Sequence, residues 1–379
     1  MKKSFFLLLV TAAMFGSLVL FFSGCSGSDK KSGFISKTRS VIRWGGDSDS
    51  NETNVIKIGA VLPVSSLGTS MKAGLDLAIA ELNKNSDGVK YEWYVEDAPE
   101  DRDVLSAYDA LKLRGKMTCF VTPGSSYSMS LKPKVIANNE LLFCVASLPA
   151  ITADGTYNVY KIGNSSVDES EAIVQYIQQR GGSTVMFYPH TEYGIPFLET
   201  INRNLDDCAG IVYEEAERDF HTLVSDALKS KPDNIVAIGF SPALGTLIKT
   251  IRELGFSGPI LSNTGFISSD VIEASGDAAY GVKYIDYDFD NSPATQSRNE
   301  YIRNKFEIDF TSISFLAYSI PYFLKSAEED LLQQNYKKAS ESIRSHDTLY
   351  IADEYPYLVF DNGDIKPSLT MKEYADEKK

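Results

Sequence analysis

Small hydroxyl residues recur just after short apolar segments in the first part of the chain, and their types suit anion binding. VIKIGAVLP is followed by Ser65 and Ser66, MTCFVTP by Ser125 and Ser126, and LLFCVA by Ser147. Serine hydroxyls donate hydrogen bonds, and helix N-termini add free backbone N–H groups and the positive end of the helix dipole. These loops could therefore hold a carboxylate or another small anion, although serine is also a common helix N-cap.

The sequence contains no motif of a known catalytic mechanism. It lacks a GxSxG elbow, a Walker loop and a GxGxxG fingerprint. Only three histidines occur, and none has metal-binding spacing: His190, His221 and His346. No set of nucleophile, base and metal ligands can be assembled, so we expect neither an enzyme nor a bound cofactor or metal.

The cysteines give no metal site either, because they lack CxxC spacing. Cys119 and Cys144 lie in two apolar segments that would be neighbouring strands, and Cys208 has no obvious partner. Two buried thiols are one interpretation of the first pair. A disulfide between Cys119 and Cys144 is the other, since exported proteins form such bonds.

The N-terminus is patterned like an export signal. MKKSFFLLLVTAAMFGSLVLFFSGC begins with two lysines, continues with an apolar run and ends with Ser23 and Gly24 before Cys25. This ending resembles the bacterial lipobox, in which the cysteine is acylated on its sulfur, so residues 1–24 would be a lipoprotein signal peptide. The alternative is an uncleaved membrane anchor, because the apolar run is nearly long enough to span a bilayer. Both interpretations put the folded part outside the cytoplasm.

Composition divides the rest of the chain into a tether and a globular body. Residues 25–54 are rich in Ser, Gly, Asp, Lys and Asn, so they cannot form a core and are predicted to be a flexible tether. Residues 55–379 are long enough for two domains. The chain is 43% hydrophobic and has a formal net charge of -14. Such an acidic field repels phosphate backbones, so nucleic acid is not an expected partner.

Strand-like segments alternate with helical segments, and this alternation predicts how the hydroxyl loops are positioned. VIKIGAVLP precedes the helical pattern SMKAGLDLAIAELN, YEWYVED precedes DVLSAYDALKLRG, and MTCFVTP precedes SYSMSLKPKVIANN. A second series of the same kind starts after VYKIGN. The predicted fold class is therefore α/β, with two doubly wound parallel-sheet lobes. In such sheets ligands bind outside the carboxyl ends of the strands, where the serines fall.

Several short motifs occur in the order in which they occur in the leucine/isoleucine/valine-binding proteins, and the chain resembles that family. Its members are type I periplasmic solute receptors of ABC transporters. IKIGAVLPVSSLGTSMKAGLDLAIAELN is similar to the opening of that family, where a strand ending in Pro-x-Ser leads through a Gly-containing loop into a helix. Further segments match in the family's order: YVEDAPED, TPGSSYS, FCVASLPAIT, PHTEYGIPF, GFSPALGTLIKTIRELGFSGPILSNTGF and ASGDAAYGV. The resemblance covers nearly the whole chain after the tether.

This resemblance implies two lobes joined by three crossovers, with a solute trapped between them as they close on a hinge. The expected first lobe combines residues 55–161 with 290–345, and the second combines 162–289 with 346–379. The candidate ligand-binding residues are Ser65, Ser66, Ser125, Ser126, Ser147 and the backbone of Val145 in the first lobe, and Tyr193, Phe240 and Thr264 in the second.

Thr264 stands where the amino-acid receptors of the family have an acidic residue that pairs with the ammonium of the ligand. A neutral hydroxyl would leave a buried ammonium without a counter-charge, which is costly. The loop before the first helix is also shorter than usual in the family. We therefore expect a small organic anion or amide at least as much as an α-amino acid.

Two functional hypotheses follow. The leading one is a monomeric, lipid-anchored receptor outside the cytoplasm that binds a small polar solute and passes it to an ABC permease or reports it to a sensor protein. The alternative is a ligand-free pair of lobes that acts through protein contacts, as do activators of cell-envelope enzymes that resemble this fold. The shorter first loop and the missing acid favour the alternative, whereas the hydroxyl loops favour the receptor.

Overall fold

The computed structural model describes residues 54–375, except 64–65, 87, 100, 192, 289–291 and 353–354. The predicted signal peptide, the lipidation candidate Cys25 and the candidate ligand residue Ser65 lie outside the described residues. No helix within the described part is long and apolar enough to cross a membrane.

The first lobe is built on an eight-stranded sheet. Its strands are β1 (Val55–Leu62), β2 (Lys90–Asp97), β3 (Cys119–Pro123), β4 (Leu141–Val145), β5 (Val159–Ile162), β11 (Thr348–Ile351), β12 (Tyr355–Val359) and β13 (Asp364–Pro367). They lie in the order β11-β12-β13-β5-β4-β3-β1-β2. The strands from β13 to β2 pair in parallel, and β11 and β12 add an antiparallel edge.

The second lobe is built on a six-stranded sheet. Its strands are β6 (Thr184–Pro189), β7 (Cys208–Tyr213), β8 (Asn234–Ala237), β9 (Ile260–Ser262), β10 (Lys283–Tyr287) and β14 (Leu369–Glu373). They lie in the order β14-β10-β9-β8-β6-β7, and β14 alone among them pairs antiparallel.

Helices cover these sheets. Those of the first lobe are α1 (Ser66–Lys84), α2 (Val104–Leu113), α3 (Ser125–Ala137), α9 (Pro293–Phe306), α10 (Ser312–Lys325), α11 (Glu328–Leu332) and α12 (Tyr336–Arg344). Those of the second are α4 (Ser166–Arg180), α5 (Gly194–Asn204), α6 (His221–Leu228), α7 (Pro242–Glu253) and α8 (Ser269–Ser275). Strands β3 and β4 are buried along their whole length, which explains why CFVTP and LLFCV are almost uniformly apolar.

The chain passes between the two sheets three times in the described part. It leaves the first sheet between β5 and α4, returns between β10 and α9, and crosses again between β13 and β14. This is the three-crossover arrangement expected for a type I periplasmic binding protein.

The expected assignment of residues 346–379 to the second lobe needs correction. Strands β11 to β13 pair with β5 of the first sheet, and only β14 joins the second. The reason is packing, because Tyr355, Tyr357 and Ile365 are buried in the core of the first lobe. The C-terminal crossover therefore falls at Ser368, between β13 and β14.

Cys119 and Cys144 are free, buried thiols, so the disulfide alternative is wrong. Their strands are neighbours, but Cys119 pairs with Leu141 and Cys144 with Thr122. The two thiols belong to the cores on opposite faces of the sheet. Side chains on opposite faces point apart and cannot be bridged.

Gly74 sets the close packing of α1 against α10. A Cβ added there would lie 2.0 Å from the carbonyl oxygen of Ser314. We expect Gly74→Ala to lower the free energy of unfolding by about 2 kcal/mol, because overpacking outweighs the gain in helix propensity. Urea unfolding measures this, with the exposed Ala80→Ser as a control that should stay within about 0.5 kcal/mol of the wild type. An alanine variant as stable as the wild type would contradict the close helix contact.

Candidate functional site

The structure brings three of the first-lobe candidates together. Ser125 is the first residue of α3, Val145 is the last residue of β4, and Ser147 follows two residues later. The backbone nitrogen of Gly124 donates to the carbonyl oxygen of Val145 at 2.7 Å, and the nitrogen of Leu148 donates to Ser125 Oγ at 3.3 Å. The loops after β3 and β4 are therefore joined at the carboxyl edge of the first sheet.

The start of α3 offers backbone donors at this edge. Its N-cap is Gly124, whose φ of 62° is favourable only for glycine and whose lack of a side chain leaves the helix without a side-chain cap. Ser126, in the first turn, is exposed. A carboxylate at this position would meet free N–H groups and the positive end of the helix dipole. Ser66 is the first residue of α1, and the structure does not describe its side chain.

The second-lobe candidates also gather at strand ends. The rings of Tyr193 and Phe240 lie 4.5 Å apart between centroids, at an angle of 59°. Asn263 Nδ2 donates to Tyr193 Oη at 3.0 Å, and Thr264 is the next residue along the chain. Phe240 is 46% exposed. This aromatic pair thus offers an accessible apolar surface beside polar groups.

A buried carboxylate, Glu169, lies against these residues. Tyr193 Oη donates to Glu169 Oε1 at 3.2 Å, and the backbone nitrogen of Thr264 donates to Glu169 Oε2 at 2.9 Å. Glu169 is 2% exposed, and this burial raises the pKa of its carboxyl group to about 7. Its contact with Thr264 puts an acid at the point where we expected a neutral hydroxyl alone.

The N-terminus of α4 holds Glu169 at the carboxyl edge of the second sheet. Ser165 caps this helix, and a capping box pairs the Ser165 side chain with the backbone of Asp168 and the Asp168 side chain with the backbone of Ser165. Asp168 also forms an ion pair with Lys366 of the first lobe, at 2.9 Å. The first turn of α4 is therefore held both by its own capping box and by a lysine of the first lobe.

Both groups of candidates lie on the edges that the crossovers connect. Strand β5 ends at Ile162 and α4 begins at Ser166, so the carboxyl edge of the first sheet runs directly into the edge that carries Glu169. Parallel α/β sheets bind ligands at these carboxyl edges. A solute between the lobes would therefore contact the hydroxyl loops on one side and the Tyr193, Phe240 and Glu169 cluster on the other.

Comparison with known families decides the identity of the fold. The sequence model of the periplasmic binding proteins matches residues 55–331, which is more than half of the chain. The chain belongs to the periplasmic binding protein family. The resemblance to its leucine/isoleucine/valine-binding members is confirmed by the relatives.

This periplasmic binding protein is similar to the leucine-, isoleucine-, valine-, threonine- and alanine-binding protein of Pseudomonas aeruginosa, with 21% identity over 75% of this chain and 79% of the relative. The Leu/Ile/Val-binding protein of Citrobacter freundii is 24% identical over 67% of this chain and 73% of its own length. The predicted family resemblance therefore extends over most of the globular body.

Solved structures confirm the type I fold. The branched-chain amino acid transporter substrate binding protein LivJ of Streptococcus pneumoniae, in complex with isoleucine, has a TM-score of 0.75 over 84% of this chain and 96% of its own, at 17% identity. An ABC transporter solute binding protein of R. palustris, in complex with 4-hydroxybenzoate, has a TM-score of 0.72 over 85% of this chain and 94% of its own, at 15% identity.

Sequence reasoning missed Glu169 in this periplasmic binding protein. Thr264 was the only residue considered at this point, whereas Glu169 reaches the backbone of Thr264 from a different element, α4, 95 residues away in sequence. One signal was available: the Ser165–Asp168 spacing is that of a capping box, and the next residue, Glu169, lies in the first turn of a helix that starts at a crossover. Among the described residues, no group of three or more His, Cys, Asp or Glu side chains is arranged to hold a metal ion.

Proposed function

We propose that this protein is the extracytoplasmic solute receptor of an ABC-type transporter and that it binds a small organic carboxylate, such as an amino acid, between its lobes. The proposal rests on two polar edges: the half-exposed Phe240 and its neighbour Tyr193 lie at strand ends of the second sheet, and the start of α3 at Ser125, which has no side-chain cap, lies at the carboxyl edge of the first. Apolar walls with a few convergent polar groups are typical of small-molecule sites. The relatives that bind isoleucine or 4-hydroxybenzoate support a carboxylate ligand.

In this proposal the ligand carboxylate is bound by Ser125 or Ser126, by Ser147 and by the backbone at Val145, and Ser65 and Ser66 are the further candidates from the first lobe. Tyr193, Phe240 and Thr264 contact the rest of the solute from the second lobe. A ligand that contacts both lobes binds the closed form more tightly and shifts the population toward it. The closed form then docks on a membrane permease or sensor, with residues 1–24 removed and Cys25 acylated as the membrane anchor of a monomer.

A thermal-shift screen tests the proposal with amino acids, aliphatic and aromatic carboxylates, amides, polyols and nucleosides as separate classes. A solute at a hundred times its dissociation constant should stabilise the folded protein by about 2.7 kcal/mol. We expect a saturable rise in melting temperature with carboxylate-bearing solutes only. No shift with any class, for a protein that is folded, would reject the receptor in favour of the ligand-free alternative.

Phe240→Ala provides a site-specific version of this test. Removing the half-exposed ring takes away apolar contact with the solute and the contact with Tyr193, but it leaves the buried core clusters intact, so we expect at least tenfold weaker binding with only a small change in the melting temperature of the free protein. Leu254→Ala is the matched control, because Leu254 is also a partly exposed apolar residue of the second lobe, at the end of α7. Equal loss of binding in both variants would argue against an interlobe site.

A further inference from the structure

We propose that the outer edge of β11, together with the exposed face of β11 and β12, is a docking surface for a partner protein, whose extended basic segment adds to the first sheet as a further strand. This hairpin surface consists of Thr348, Tyr350, Pro356, Leu358 and Phe360. None of these residues is a candidate ligand residue, so the inference does not depend on the proposed solute.

The outer edge of β11 carries unpaired backbone groups. Strand β11 is the last strand of the first sheet, and no described strand pairs with its other side. The backbone nitrogen of Val359 donates to the carbonyl oxygen of Asp347 at 3.1 Å, so these two residues form a hydrogen-bonded pair. Bonded and non-bonded pairs alternate between antiparallel strands, so the pairs that Thr348 and Tyr350 form with β12 are non-bonded. The backbone N–H and C=O groups of Thr348 and Tyr350 therefore point away from β12, towards the free edge.

Apolar side chains are exposed on the face beside this edge. Thr348 lies opposite Leu358, and Tyr350 lies opposite Pro356, so all four side chains share one face. The alternate residues are buried on the other face, in the core of the first lobe: Leu349, Ile351, Tyr355 and Tyr357. Tyr350 is 62% exposed, Leu358 is 51% exposed, and Phe360 follows at the end of β12. Contiguous exposed apolar groups of this kind are typical of protein interaction sites.

Strand β11 lacks the features that usually protect an edge strand from pairing. Protected edges carry a lysine, a proline, an inward-pointing charge or a bulge. The sequence of β11 is TLYI, which contains no charge and no proline and which favours the strand conformation. Its four residues offer few backbone bonds, so the apolar face must contribute much of the affinity. Extended segments that add to a sheet edge are recognised by this combination of backbone bonds and side-chain contacts.

The charge of the hairpin indicates the chemistry of the partner. Residues 345–363 contain no lysine or arginine and four acidic residues: Asp347, Asp353, Glu354 and Asp361. Asp347 and Asp361 are exposed, and no ion pair among the described residues includes either of them. The flanking cations are already engaged, because Arg344 donates to backbone carbonyl oxygens and Lys366 pairs with Asp168. A second copy of this chain would bring the same acids to the edge, whereas a segment of alternating apolar and basic residues matches both the face and the charge.

Fluorescence anisotropy with synthetic peptides tests the proposal on the folded protein. The probes are fluorescein-labelled peptides in which lysine alternates with valine, isoleucine or phenylalanine, and matched peptides that have glutamate in place of lysine. We expect saturable binding of the lysine peptides, at least tenfold tighter than that of their glutamate counterparts. This binding should weaken as the salt concentration rises from about 50 mM to about 300 mM, because the charges at the hairpin are exposed.

Variants separate the backbone edge, the apolar face and the charge. Thr348→Pro removes an outward N–H but no bond within the sheet, and proline is tolerated at the first residue of an edge strand, so we expect a folded variant with at least tenfold weaker binding. Thr348→Val keeps the N–H and should bind like the wild type. Leu358→Ser and Asp347→Lys should each weaken binding several-fold, whereas Glu199→Lys, a similar change of charge at an exposed position of α5, should not. If Thr348→Pro does not fold, Leu358→Ser and Asp347→Lys decide.

Three outcomes would overturn the proposal. Equal binding of the lysine peptides to Thr348→Pro and Thr348→Val would reject strand addition at the edge. No saturable binding of any lysine peptide, or equal binding of the glutamate peptides, would reject a basic partner. Self-association of the wild type in analytical ultracentrifugation that is lost in Thr348→Pro would identify a second copy as the occupant. None of these outcomes affects the receptor function, which the thermal-shift screen tests separately.

Discussion

Replacing Asp364 with alanine is expected to lower the free energy of unfolding by about 3 kcal/mol, whereas Lys161→Met should change it by less than about 1 kcal/mol. Lys161, on β5, is 0% exposed, and its Nζ lies 3.5 Å from Asp364 Oδ1 on β13. The same Nζ donates to the carbonyl oxygen of Gly163 at 3.1 Å. Two charges are thus buried together where the chain leaves the first sheet.

The asymmetry between these two substitutions has a physical cause. Burial lowers the pKa of Lys161, and the nearby carboxylate of Asp364 opposes that shift. Without Asp364, the ammonium would be buried with no carboxylate in ion-pair contact, and Thr152 would lose the acceptor of its hydroxyl. Methionine at position 161 removes the buried ammonium and fills a similar volume, and Asp364 still accepts from Thr152 and lies 3.8 Å from Lys366.

Urea unfolding of the three proteins measures the effect as a change in midpoint at constant slope. Asp361→Ala is the matched control, because Asp361 is an exposed aspartate in the turn before β13, and it should stay within about 0.5 kcal/mol of the wild type. A Lys161→Met variant that is destabilised as strongly as Asp364→Ala would show that the lysine stabilises the folded protein by its charge.

The crossovers connect this pair to the proposed solute site. Asp364 lies 3.8 Å from Lys366, and Lys366 pairs with Asp168 at the start of α4, next to Glu169. A change in the angle between the lobes would move the first-lobe lysine relative to α4. The position of Glu169 is therefore tied to hinge geometry through the Asp168–Lys366 contact as well as through its own hydrogen bonds.

Local patterns predicted the fold because its strongest signals are local. The apolar segments around Phe120 and Phe143 are short and bounded by loop residues, as buried strands are, and each is followed by a serine at a helix start or loop. That order fixes the carboxyl edge of the sheet and hence the region of the site. The hydroxyl loops at Ser125 and Ser147 were predicted in this way, and the structure joins them.

Long-range pairing could not be predicted in the same way. The parallel pairing of β13 with β5 joins Asp364 to Lys161, which lie 203 residues apart, and no periodicity encodes such a partner. Glu169 is a similar case. In sequence it looks like an acidic residue of the first turn of a helix, where acids are common for dipole reasons. Only the tertiary contact with Thr264 and Tyr193 brings it beside the candidate ligand residues.

The stability of the empty protein should depend on pH through Glu169. Its pKa is raised from 4.5 to about 7, so the folded protein keeps a proton that the unfolded chain has released. The contribution of this proton to the free energy of unfolding is fully present below pH 4.5 and is lost as the pH rises through about 7. One pKa unit corresponds to about 1.4 kcal/mol, so the total loss is on the order of 3 kcal/mol.

Glu169→Gln removes this dependence, because glutamine has nearly the same shape, still accepts from the Thr264 amide and does not ionise. We expect the free energy of unfolding of the variant, relative to the wild type, to increase by about 2 to 3 kcal/mol between pH 5 and pH 8. Urea unfolding at several pH values measures the difference. For Glu171→Gln on the same helix, the difference in free energy of unfolding from the wild type should not change with pH. A difference for Glu169→Gln that also does not change with pH would mean that the carboxylate is already ionised in the folded protein at pH 5.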